Sequence, residues 1–137
     1  MEIFNKLKEY FGQTPIESLK ELEKELMELQ NKFKSGFVSI IGYSGRMKGL
    51  PLIYQSDEEK RIKRITANLV NSLESMKEIL SHQTIENVNI HWTENILYFR
   101  KITKEIGIIS LLQYGKDINK LKDWVGENLS KIEPLFH

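Results

Sequence analysis

The hydrophobic period of this chain changes four times along its length, and that alternation limits the folds open to it. Apolar residues first fall three or four apart, at Ile16, Leu19, Leu22, Leu26, Leu29 and Phe33, which gathers them on one face of a long helix. From Phe37 the pattern becomes short and β-branched in FVSII, then passes Gly42, Gly45 and Gly49. That reads as a strand, a hairpin and a return strand over 50–55. Helical spacing returns at Ile62, Ile65, Leu69, Leu73, Met76 and Leu80, with Ala67 and Val70 widening the stripe toward one flank. Val88, Ile90 and Trp92 then alternate with Asn87, Asn89 and His91, the mark of a strand with one polar face. Two more apolar strands are expected over 96–102 and 106–114, followed by a helical stripe at Ile118, Leu121, Trp124 or Val125, Leu129 and Ile132. The final strand is apolar on both faces apart from Ser110 and Gln113, so it belongs at the centre of a sheet covered above and below. Pro51 places the return strand at an edge, where one ladder donor can be spared.

Start and stop signals agree with these periods. Thr14-Pro15-Ile16-Glu17 and Ser56-Asp57-Glu58-Glu59 are capping boxes, and Asp117 caps the last helix, which Pro134 stops. Ahead of them, EIFNKLKEYF over 2–11 has the spacing of a short amphipathic helix ended by Gly12. The chain therefore divides into an N-terminal helix, 1–13, and one compact domain, 14–137.

Composition removes several classes of function. Twenty Lys and Arg against 19 Asp and Glu leave a net charge of +1 over 137 residues, so no whole-chain field draws nucleic acid or an anionic membrane. The absence of cysteine removes disulfides, thiolate metal sites and Cys nucleophiles, and fits a reducing cytoplasm. No apolar run approaches the ~20 residues of a membrane span. His82, His91 and His137 share no metal-ligand spacing, and neither an HExxH nor a nucleophile-elbow pattern occurs. Catalytic residues, cofactor and metal are accordingly expected to be absent. GYSGRMKG fails as a phosphate loop, because Leu50 stands where the hydroxyl belongs and a strand follows. Lys60, Arg61, Lys63 and Arg64 follow Asp57, Glu58 and Glu59, which makes them a self-paired solvated face. Trp92 and Trp124 are assigned to core packing.

The element order, together with GFVSIIGYSGRMKGLPLIYQSDEE from Gly36 to Glu59 and GKDINKL from Gly115, resembles the roadblock family named after the dynein light chain. The resemblance covers residues 14 to 133 and rests on structural motifs. It implies a three-layer α/β (α+β) domain, a five-stranded antiparallel sheet with one long helix on one face and two on the other; the helix at 2–11 is extra. It also implies a homodimer, or pairing with a related roadblock-type subunit, through the second long helix and the third strand. Members serve as platforms or regulators for Ras-like small GTPases, and some bacterial relatives accelerate GTP hydrolysis by their partner.

Three sets of residues follow as candidates. The third strand, Asn87, Val88, Asn89, Ile90 and His91, would expose an unpaired sheet edge that a second copy can cover. Lys63, Ala67, Val70 and Glu74 share one flank of the preceding helix, where Lys63 would meet Glu74 of the other copy. Arg46 and Lys48 sit in the hairpin within reach of a partner. The leading expectation is a non-enzymatic dimeric scaffold; the alternatives are a GTPase activator using Arg46 and a small-ligand sensor.

Overall fold

The computed structural model describes residue 5 and residues 16–33, 36–54, 59–81, 83–113 and 118–136. The expected helix over 2–11, apart from Asn5, lies outside these, as do the caps Thr14, Ser56 and Asp117 and the histidines His82 and His137.

The described chain runs α1 (Ile16–Asn31), β1 (Phe37–Gly42), a 3-10 turn (Gly45–Met47), β2 (Pro51–Ile53), α2 (Glu59–Ile79), β3 (Asn87–His91), β4 (Asn95–Lys101), β5 (Ile106–Gln113), α3 (Ile118–Ile132) and a closing 3-10 turn (Glu133–Phe136). The sheet order is β2-β1-β5-β4-β3, and every neighbouring pair is antiparallel. β5, apolar on both faces, is thus the central strand, and β2, which begins with Pro51, is an edge.

Alternation along the strands divides the core in two. Val38, Ile40, Ile106, Ile108 and Leu112 meet Leu19, Leu22, Leu26, Leu29 and Phe33 of the first helical segment and Leu121, Val125 and Ile132 of α3. Phe37, Ile41, Leu97, Phe99, Ile109 and Leu111 meet Ile62, Leu69, Val70 and Leu73 of α2. The three-layer order is therefore two helices, sheet, one helix. Each fully buried Leu, Ile or Phe contributes about 1.5–3 kcal/mol, so the two layers share the stabilisation between faces.

Three sequence expectations are corrected. Val70 is only 1% exposed and belongs to the α2 core; its position turns it beneath the helix, where it packs on the sheet of its own chain. Met76 and Leu80, placed on the buried stripe by spacing alone, are 47% and 54% exposed. Both line an open groove under the end of α2, so the stripe continues there without close packing. Trp92 is 53% exposed, because β3 ends at His91 and the ring lies past the last pair of the ladder. Trp124 does pack against the core as expected.

Candidate interaction surface

Four features converge around α2: the β3 edge, the two flanks of the helix and the turn between β1 and β2. β3 pairs with β4 from Asn87↔Arg100 to His91↔Ile96, and no described strand pairs with its other side. Asn87, Asn89 and His91 are exposed, while Val88 and Ile90 are half-buried on the α2 side. A Glu86–Lys101 ion pair of 3.0 Å and the bond from Lys101 N to the Glu86 carbonyl, 2.9 Å, pin the start of the strand.

The turn after β1 is clamped from two directions. Tyr43 N donates to the Glu105 carbonyl at 2.8 Å, and the Tyr43 hydroxyl donates to the Thr103 carbonyl at 2.7 Å. Its ring meets Phe99 edge-on at 5.3 Å. Burial first, and the Glu86 carboxylate second, push the Tyr43 phenol up to about 12. Arg46 N donates to Glu105 Oε1 at 3.2 Å, so Arg46 projects from a fixed turn and is exposed. Lys48 Nζ reaches Glu74 Oε1 at 2.7 Å.

That last bond settles which way the expected flank faces. Lys63, Val70 and Glu74 lie on the side of α2 turned toward β2 and its hairpin, the far end of the sheet from β3. Lys63 is held by Glu59 of its own helix at 2.7 Å, which raises the lysine and lowers the carboxyl relative to their ordinary values, chiefly through that hydrogen bond. Glu74 is held by Lys48. The two charges expected to meet across a dimer are thus each paired within the chain. Ala67 is exposed, as are Asn87, Asn89 and His91 of β3.

The opposite flank carries Ile65, Asn68, Ser72, Met76 and Ile79, at steps of three and four that keep them on one helical face. Ile65 is half-buried, and Ile79 is 81% exposed. The sequence did carry a signal for this flank: Ile79 is a large apolar residue that fits no position of the core stripe. Beyond it, the overhanging end of α2 roofs an open groove of about 640 Å³, floored by Tyr43, Leu73 and Ile85 and edged by Lys77, Glu86 and Lys104. Among the described residues no group of three His, Asp or Glu side chains is placed to hold a metal ion, and no helix is long and apolar enough to cross a membrane.

The described residues thus form three layers, in which no described strand pairs with the outer side of β3 and one flank of α2 is partly exposed. The fold is that of roadblock domains. The gliding protein MglB of Thermus thermophilus superposes with a TM-score of 0.67 at 10% identity, covering 85% of this chain and 89% of that one. Myxococcus xanthus MglB gives 0.63 at 6% identity over 80% and 89%, and a Roadblock/LC7 domain of Streptomyces avermitilis gives 0.59 at 11% over 77% and 91%. No protein-family profile and no curated protein sequence matches the chain.

Proposed function

We propose that this protein is a non-enzymatic, homodimeric roadblock-type platform that binds a Ras-like small GTPase or a larger assembly containing one. The observation that carries the reading is the β3 edge. Its outer donors and acceptors have no described partner strand, and Val88 and Ile90 leave apolar surface beside them half covered. An exposed edge of this kind is a template for another strand, and a second copy supplies one by two-fold symmetry. An MglB with a tetrameric arrangement shares the fold, at a TM-score of 0.66 and 10% identity, which supports self-association as a use of this architecture. The GTPase partner rests on the roadblock resemblance.

Light scattering after size exclusion tests the dimer, and binding of Ras-like GTPases from the same organism, loaded with GTP analogue or GDP, tests the partner. A chain that stays single at every concentration, or binds neither nucleotide form, sinks the corresponding half of the reading.

A second reading, GTPase activation, draws on Arg46, which a clamped turn presents to solvent; a positioned arginine stabilises transition-state charge on a γ-phosphate. Unchanged multiple-turnover hydrolysis by a bound GTPase would remove it. The groove under α2, about 640 Å³, falls within the ~300–1,000 Å³ of small-molecule sites, which supports the sensor reading. A ligand adduct surviving native mass spectrometry is its test.

A further inference from the structure

The groove under the end of α2 leaves apolar surface uncovered. Leu73 and Ile85 belong to the core beneath it, whereas Met76 and Leu80 at its roof are 47% and 54% exposed. Its rim carries both signs of charge, Lys77 and Lys104 beside Glu86 and Glu105. Nucleic acid and anionic lipid need an excess of positive charge, which this rim does not have. An apolar floor behind a rim of mixed charge suits a near-neutral amphipathic segment.

One segment of this chain has that character. Over residues 2–11, Ile3, Leu7 and Tyr10 form one set and Phe4, Leu7 and Phe11 another, each at the steps of three, four and seven by which a helix anchors in a groove. Glu2 and Glu9 balance Lys6 and Lys8, leaving the segment without net charge. Asn5, the described residue within it, is helical and exposed. On a helix Asn5 stands opposite the apolar stripe, so its exposure agrees with a stripe turned inward.

The segment is also tethered at the right end of the sheet. Val38 N donates to Gln30 Oε1 at 3.3 Å, so α1 ends beside the start of β1, and its first turn lies at the other end of that strand. There Leu19 shares a core with Met47, Ile102 and Ile106. Tyr43, Lys104 and Glu105 bring the groove to this same end of the sheet, on the α2 face. Residues 12–15 separate Phe11 from Ile16, and the five extended steps between those two span at most about 17 Å. That length rounds the end of the sheet from the α1 face to the α2 face and leaves little slack to go further.

We propose that residues 2–11 form a helix that folds back within its own chain and lays its apolar stripe, centred on Leu7, in the groove under α2. The inference goes beyond the platform reading and does not depend on it. It excludes the sensor reading, because one groove cannot hold both occupants.

A photoreactive benzophenone amino acid in place of Leu7 tests this in the full chain. Ordinary and heavy-nitrogen chains are mixed in equal amounts, irradiated and digested, and the joined peptides are weighed. Position 7 is expected to cross-link to residues 73–86 or 104–105, with one isotope throughout each joined pair. Mixed isotopes in those pairs would mean that a second copy supplies the segment, which overturns the proposal. Cross-links to α1, α3 or β3 instead, or no cross-link at all, overturn it as well. Amide hydrogen exchange supplies a second readout: Leu7→Glu should lose protection across residues 76–86 while β5 keeps its own. Unchanged exchange across 76–86 also overturns the proposal.

Discussion

Lys48 Nζ lies 2.7 Å from Glu74 Oε1, joining the glycine-bearing turn to the α2 flank that faces away from β3. Both side chains are close to half exposed, at 43% and 49%, and exposed pairs of this kind contribute about 0–1 kcal/mol. Lys48→Ala should therefore lower stability by less than about 1 kcal/mol in chemical denaturation, and it should leave the solution mass unchanged. A fall in mass would mean that this flank takes part in self-association after all.

Val70 and Ile79 separate folding from association. Val70→Glu places a carboxylate at a site 1% exposed among Ile62, Leu69 and Leu73, and a buried charge without a partner costs several kcal/mol. Loss of the cooperative unfolding transition is the expected result, whatever the oligomeric state. Ile79→Glu changes a residue 81% exposed, so its stability as a single chain should stay within about 0.5 kcal/mol of wild type. Its effect should appear as a lower mass at a given concentration. Circular dichroism melts paired with light scattering distinguish the two.

What could be read from the sequence, and what could not, divides at the same residues. Periodicity located every described helix and strand, and Pro51 and the doubly apolar β5 gave two positions in the sheet, because burial on one face or two writes itself into residue type. It did not give the rotation of α2 about its axis. Ala67 and Val70 flank the same stripe on paper, yet one is exposed and the other buried, since only the packed sheet decides how far burial extends round a helix. Nor did it show where the sheet ends beneath Met76 and Leu80. The Lys48–Glu74 pair, spanning 26 residues, leaves no local trace at all.

Gly36 and Gly49 both adopt positive φ, 86° and 83°, but their surroundings differ. A Cβ at Gly36 would run into the Leu111 carbonyl, whereas nothing stands within 4 Å of one at Gly49. Left-handed backbone costs a non-glycine residue roughly 1–2 kcal/mol, which is all Gly49→Ala should lose. Gly36→Ala must also displace the backbone of the central strand, so it should lose clearly more. Equal midpoints for the two variants in urea would contradict this placement of Gly36.

Tyr43 makes stability fall at alkaline pH. Its phenol titrates at about 12 in the folded chain, raised by burial and then by Glu86, from an ordinary value of 10.0. The folded state therefore holds this proton through a range where the unfolded state has lost it. The contribution is complete below pH 10 and is lost as pH rises toward 12. Tyr43→Phe should flatten that decline while forgoing the bond to the Thr103 carbonyl, worth about 1 kcal/mol near neutral pH. Denaturation midpoints measured across this range, with phenolate absorbance followed in parallel, check both signs.

Arg64 and Glu78 are exposed and lie on the same outward side of α2, so exchanging their charges tests antiparallel pairing of this helix in the proposed homodimer without changing composition. In such a dimer Arg64→Glu alone sets carboxylate against carboxylate at both symmetry-related contacts, and Glu78→Arg alone does the same with two cations. Each should weaken self-association, by about 1–2 kcal/mol over the two contacts, or roughly tenfold in Kd. Because both residues are exposed, neither change should disturb the fold. Mixing the two single variants restores opposite charges at both contacts of the mixed dimer, and the double variant restores them within its own. Recovery of wild-type affinity in the mixture requires that position 64 of one chain face position 78 of the other. Loss of affinity in the single variants with no recovery in the mixture would point instead to a non-specific effect of net charge, and would place the axis elsewhere on α2.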